Sequence, residues 1–192
     1  MNAIIIEQTQ DDVKLAFEVH QNAAINRLRL ARAKVSSLAI DAIPNTQIAV
    51  KFNFKSKPLD APPNILRLEI TFRMVGIQDV EAGDAERALM PVAGKPEQVV
   101  SVECAFDVDY TLREGFDVTP EHVKAFKDGN AIFNAWPYFR EFLQNNLQRM
   151  GLPVLTAPFL RLQPKPGATS GPKNKVGVKF KNSRSNPPGN IC

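Results

Sequence analysis

Apolar and polar residues alternate in a way that predicts an α+β protein: a four-stranded antiparallel sheet, one face dry and one wet, covered by a main helix. Two observations carry this. Four amphipathic strand patterns follow one another between residues 35 and 112 with no helix-length pattern between them, which favours antiparallel pairing over a parallel α/β sheet. A long amphipathic helix pattern, "NAWPYFREFLQNNLQRMGLP" (Asn134 to Pro153), then follows and can roof the dry face. The 192 residues suffice for one domain with a sizeable core, or one domain with tails.

Residues 9–26 read as a first helix, with Thr9 as its cap and Asp11 and Asp12 at the positive end of its dipole. Val13, Phe17, Ala24 and Leu28 fit one apolar face. The basic run "RLRLARAK" is compatible with helix or strand, and a strand is established by Val35, where Leu38, Ile40 and Ala42 alternate with polar or small neighbours. The second strand sets Ile48, Val50, Phe52 and Phe54 against Lys51, Asn53 and Lys55. Three prolines in "PLDAPPN" end it. The third sets Leu66, Leu68, Ile70, Phe72 and Met74 against Arg67, Glu69, Thr71 and Arg73. A long polar connection follows. The fourth has Val100, Val102, Cys104, Phe106, Val108, Tyr110 and Leu112 on its dry side and Glu103, Asp107 and Asp109 on its wet side.

The main helix carries one apolar stripe, Ile132, Trp136, Phe139, Leu143, Leu147 and Met150, at spacings of 4, 3, 4, 4 and 3. Phe133, Tyr138 and Phe142 lie off it, so the first half of the helix is apolar nearly all round. One sheet covers one side only; another subunit or a bound partner must cover the rest. Pro137 either opens the helix or kinks it. Gly151 and Pro153 end it. Ahead of it, the irregular segment 113–131 has an apolar set of its own, Phe116, Val118, Val123 and Phe126, and His122 in an apparent turn.

Net charge is +4, unevenly spread. The stretch 164–192 holds six basic and no acidic residues, so residues 1–163, with 18 basic and 20 acidic side chains, carry −2. The expected layout is an N-terminal helical extension (1–27), an α+β domain (28–163) and a basic tail (164–192), disordered on its proline, glycine and polar content. On charge grounds the body is not a nucleic-acid-binding domain. No apolar run approaches the ~20 residues of a membrane span, and the start has no basic n-region of a signal peptide. Cys104 and Cys192 form neither a disulfide framework nor a metal quartet, and a reducing cytosol is the simplest compartment.

Chemistry-bearing constellations are missing. His20 and His122 are the two histidines, and no GxSxG, HExxH or phosphate-cradling glycine loop occurs. Cys104 on a dry strand face reads as core rather than nucleophile. Glu103, Asp107 and Asp109 read as a solvated face or as an acidic patch for a basic partner. No enzyme, cofactor or metal is expected. Phe116, Val118, Val123, Phe126 and Phe133 read as core or seam, or as a loop-built apolar groove able to repack around varied partners.

The segment "NAWPYFREFLQNNLQRMGLPVLTAPFL" resembles the SecB export-chaperone family in Trp136, Pro137, Tyr138, Arg140, Glu141, Gly151, Pro153, Leu155 and Pro158. "SSLAIDAIPN" is similar to the family's first strand, and the resemblance spans about residues 28–160. It implies a cytoplasmic holdase, assembled as a dimer of dimers, that keeps unfolded chains in apolar grooves. It implies a groove lined by Phe116 to Phe126 with dry-face residues such as Phe52 and Phe54, and a subunit interface on the main helix at Trp136, Tyr138 and Phe142. It implies an acidic outer face for the translocase ATPase SecA, with Asp41 and Asp109 as nearest matches and Glu103 and Asp107 beside them. Three departures stand out: "FLRLQPKPGATSG" cannot hold the family's second helix, the tail is basic, and the N-terminal helix is additional. Divergent relatives of this kind serve dedicated clients, antitoxins among them. The sequence thus points to an ATP-independent chaperone for unfolded polypeptides; the alternative is a small-molecule carrier using the sheet–helix cavity.

Overall fold

A computed structural model describes residues 3–37, 48–78, 98–152 and 155–165. The elements are β1 (Ile4–Gln8), α1 (Gln10–Asn22), β2 (Ala23–Ser37), β3 (Ile48–Leu59), β4 (Ile65–Gln78), β5 (Gln98–Leu112), α2 (Pro120–Lys127), α3 (Asn130–Arg149) and β6 (Leu160–Pro164). The fold class is the expected one. A four-stranded antiparallel sheet has the order β2-β5-β4-β3, so β2 and β3 are its edges.

The dry face is built as the alternation predicts. Leu68, Ile70, Phe72 and Met74 of β4 and Val102, Cys104, Phe106, Val108 and Tyr110 of β5 are buried. Across it lies α3, whose buried residues include Ile132, Trp136, Phe139, Leu143 and Leu147. The seal is aromatic: Phe72 stacks on Phe139 at 4.9 Å and meets Trp136 edge-on at 5.7 Å. Such pairs are favoured beyond the area they bury. The Trp136 indole N–H donates to the Pro158 carbonyl at 3.0 Å, which pins the chain after α3 to the helix start. Met150 becomes the C-cap, and Gly151 follows at φ 68°, the left-handed exit a glycine allows. Pro137 lies inside α3 without ending it.

Several elements differ from expectation. β2 starts at Ala23, directly after α1, and the whole basic run is strand. Its bulges, between Ile25 and Arg27 and between Leu30 and Arg32, place Ile25, Leu28, Leu30, Ala33 and Val35 opposite dry-face residues of β5. α1 turns Ala16 and Val19 inward and leaves Val13 and Phe17 exposed, the reverse of the face assigned to it. The segment around His122 is helical: Thr119 and His122 form a capping box, and Pro120 occupies the first turn. The N-terminal residues add a strand as well as a helix, since β1 pairs in parallel with β6. Gln8 at the end of β1 is buried, and its side-chain N–H donates to the Ala125 carbonyl at 2.8 Å. The early strand residues Leu38, Ile40 and Ala42, together with Asp41 and the tail from residue 166, lie outside the described residues.

Candidate functional site

The wet face is a lattice of ion pairs. β2 contributes Arg27, Arg29, Arg32 and Lys34, β4 contributes Arg67 and Arg73, and β3 contributes Lys51, Lys55 and Lys57. Among the described residues, four carboxylates answer these nine cations: Glu69 on β4 and Glu103, Asp107 and Asp109 on β5. Asp109 accepts from Arg67 at 2.6 Å and Arg27 at 2.7 Å. Asp107 accepts from Arg29 at 2.8 Å, and Glu69 from Arg32 and Lys57. The Arg67 hydrogen bond holds the Asp109 carboxyl below the usual carboxylate range, and the Arg32 hydrogen bond does the same for Glu69.

Asp107 and Asp109 are therefore buried beneath guanidinium groups, not solvated. A contact that used them as an acidic docking patch would have to displace arginines. Glu103, half-buried and 4.0 Å from Arg73, remains the more open carboxylate of the group.

The dry face is unevenly roofed. α3 lies over β3, β4 and β5, and α2 lies against the β3 side of the sheet, sending Phe126 inward to meet Tyr110 of β5 edge-on at 5.0 Å. Among the described residues, no helix lies over the length of β2 in this way. Ile25 is 49% exposed and Leu30 46%, although both point to the dry side. Tyr138, 46% exposed, stands 6.5 Å from Phe106, the β5 neighbour of Leu30. Phe133 on α3, Val13 and Phe17 on α1 and Phe159 before β6 are also exposed. Exposed single apolar residues are ordinary; Leu30 and Tyr138, which flank Phe106 from β2 and α3, are the ones that lie together.

The structure sorts the residues singled out from the sequence. Phe133 and Tyr138 are at the surface, and Phe142 is half-buried against the core. Phe52, Phe54, Phe116 and Val123 are half-buried at the margin of the core, and Val118 is half-buried in the loop before α2. Two assignments are corrected. Phe126 is 1% exposed because α2 turns it onto Tyr110, so it is core and not groove lining. Trp136 is 4% exposed, held by Phe72, Phe52 and Pro158 within the chain, so it is not available to a second subunit. The exposed Val13, Phe17, Ile25, Leu30 and Phe159 were not singled out as partner-facing residues by sequence reasoning.

His122 joins α1 to α2. Its Nε2 lies 3.0 Å from a Glu18 carboxylate oxygen, its Nδ1 accepts from the Thr119 backbone N–H at 3.3 Å, and Phe116 packs on its ring. Both ring nitrogens are thus engaged structurally. Burial pushes the Cys104 thiol and the Tyr110 phenol each up to about 12, so neither ionises near neutral pH. Among the described residues, no group of three or more His, Cys, Asp or Glu is placed to hold a metal, and no helix is long and apolar enough to cross a membrane.

The described residues form an antiparallel sheet roofed by one long helix, with large apolar side chains left exposed: an α+β fold. No family model matches the sequence. The SecB-like chaperone Rv1957 of Mycobacterium tuberculosis is 28% identical over 160 residues, covering 78% of this chain and 86% of that protein. The SecB-like chaperone MT2006, from a second strain of that organism, matches to the same extent. The solved structure of Rv1957 in complex with a ChAD peptide from the Rv1956 HigA1 antitoxin superposes with a TM-score of 0.58 at 20% identity, covering 79% of this chain and 99% of that one. In sequence the chain is similar to the SecB-like chaperones, and its fold matches that of Rv1957.

Proposed function

We propose that this protein is a chaperone that holds non-native polypeptide without ATP. The observation that carries the reading is the exposed apolar surface along β2, α1 and the outer side of α3, at Val13, Phe17, Ile25, Leu30, Phe133 and Tyr138. A client segment that buries apolar area there leaves water at ~25 cal/mol per Å². Binding lowers the concentration of free unfolded chain, and with it aggregation, by mass action; no chemical step is needed. The chaperone names of the relatives support the reading, and the antitoxin peptide bound to one of them supports a dedicated client of that kind.

Part of the same surface suits a second copy of the chain. Among the described residues β2 is an unpaired edge of 15 residues, with Ile25 and Leu30 on it and Tyr138 nearby. An edge of that length is a template for pairing. A dimer built there, which leaves Phe133 on α3 and Val13 and Phe17 on α1 open to client, is one interface of the dimer of dimers that the resemblance implies. A cytoplasmic setting goes with this reading. Export through SecA is the less supported branch, given the arginine cover over Asp107 and Asp109. The carrier alternative lacks a polar anchor, since Cys104 and Tyr110 are packed inside the core.

Light scattering of the protein alone and with a reduced, unfolded client tests the proposal. The expected result is a multimer that gains the client's mass. A monomer that gains none would refute it.

A further inference from the structure

We infer that the outer edge of β3 is a docking strand for an extended polypeptide segment in which acidic and apolar residues alternate. This rests on the reading that the protein binds polypeptide, and it specifies the chemistry of one class of partner. β3 closes the sheet on the side opposite β2, and among the described residues no strand pairs with its outer edge. Its two sides carry opposite demands. Lys51, Lys55 and Lys57 project on the wet side; Phe52 and Phe54 project on the dry side, where α3 covers them only in part.

Lys57 is satisfied by Glu69 at 3.2 Å, whereas Lys51 and Lys55 make no ion pair among the described residues. Among the described residues the face behind them has nine cations to four carboxylates, a balance that also favours an anion. A strand added at this edge would run ~4.8 Å from β3, with alternate side chains ~6.7 Å apart along it, so Lys51 and Lys55, four residues apart with Asn53 between them, would meet every second side chain of its wet row. Directly opposed side chains would then be ~5 Å apart at Cβ, within reach of a lysine–carboxylate pair. The apolar set of the same strand would fall beside Phe52 and Phe54. Main-chain bonds would supply affinity and the two rows specificity.

The lysines also discourage pairing of β3 with a second β3, which would set like charges together. A nucleic acid fits less well. The wet side of β3 offers lysines, an asparagine and Leu59 but no aromatic ring on which a base could stack, and a phosphate backbone has nothing to give Phe52 and Phe54.

The test uses the full chain and a fluorescein-labelled peptide of 12 residues, the length of β3, alternating glutamate and isoleucine, read by anisotropy. Binding should weaken with salt, and the K51E/K55E variant should bind about tenfold or more weakly. A peptide alternating lysine and isoleucine, and a single-stranded oligonucleotide of equal charge, should each bind about tenfold or more weakly than the acidic peptide. N-methylating one set of alternate residues should abolish binding, and methylating the other should not, because only one set faces the edge. Unchanged affinity in K51E/K55E, equal binding of the basic peptide or the oligonucleotide, or equal effects of the two methylations would overturn the inference. Aggregation suppression measured on K51E/K55E in parallel separates the readings: suppression retained with no peptide preference removes this inference alone, while loss of suppression in the unmodified protein removes the chaperone reading.

Discussion

Asp109 lies under two guanidinium groups, and its fate with pH follows from that. Its carboxyl is held below the ordinary range, chiefly by the Arg67 hydrogen bond. A carboxylate whose folded pKa is depressed adds stability that is present above its unfolded value of about 3.9 and is lost as pH falls through the lower folded value. Asp109→Asn should therefore lower stability near neutrality by about 1–3 kcal/mol and flatten the loss of stability below about pH 4. Urea midpoints across pH check both, and an unchanged acid limb would contradict the assignment. Gly129 makes a second residue-scale case. A Cβ there would lie 2.5 Å from the Gln8 side-chain oxygen, and Gln8 is buried and bonded to Ala125. Gly129→Ala should cost about 1–3 kcal/mol by driving Gln8 from its bond. Gln8→Ala in the same chain should recover part of that cost, and strict additivity in the double-mutant cycle would show that the two do not touch.

At the scale of elements, α2 and α3 divide the aromatic residues between core and surface. Phe126→Ala should cost about 3–5 kcal/mol, because the ring is buried against Tyr110. Phe133→Ser, 48% exposed, should change stability by less than about 0.5 kcal/mol. Chemical denaturation of the two variants separates them, and equal costs would mean that the helices are rotated from the positions described. The same elements show what was legible in the sequence. The α3 stripe could be read because helical spacing and burial coincide from Ile132 to Leu147. The inner strands were equally plain, because β4 and β5 keep period two over most of their length. β2 hid itself. Its two bulges space the dry-side residues at 25, 28, 30, 33 and 35, and intervals alternating between three and two mimic a helix as well as a strand. α2 was missed because His122 stands where a capping box usually has Glu or Gln, although Thr119 and Pro120 were signals of a helix start. Nothing local marks the β1–β6 ribbon, whose strands are 156 positions apart in the register from Ile4 to Leu160.

The whole molecule is lopsided in charge and in cover. Residues 1–163 carry a net −2, yet among the described residues the wet face holds five more cations than carboxylates. The dry face is roofed over three strands and open over the fourth. If that opening is a seam between copies, a charge placed in it should divide the assembly. Leu30→Glu should halve the molar mass measured by light scattering at micromolar concentration while leaving the far-ultraviolet circular dichroism unchanged; an unaltered mass would place the seam elsewhere.

Holding non-native chains is the central claim, and the most direct measurement is the light scattered by a denatured client diluted into buffer without nucleotide. Stoichiometric protein should suppress the aggregation. Phe133→Asp with Phe17→Asp, two changes at exposed positions that leave the core intact, should suppress it by less than half as well. Aggregation that proceeds undiminished in the presence of the unmodified protein would contradict the account.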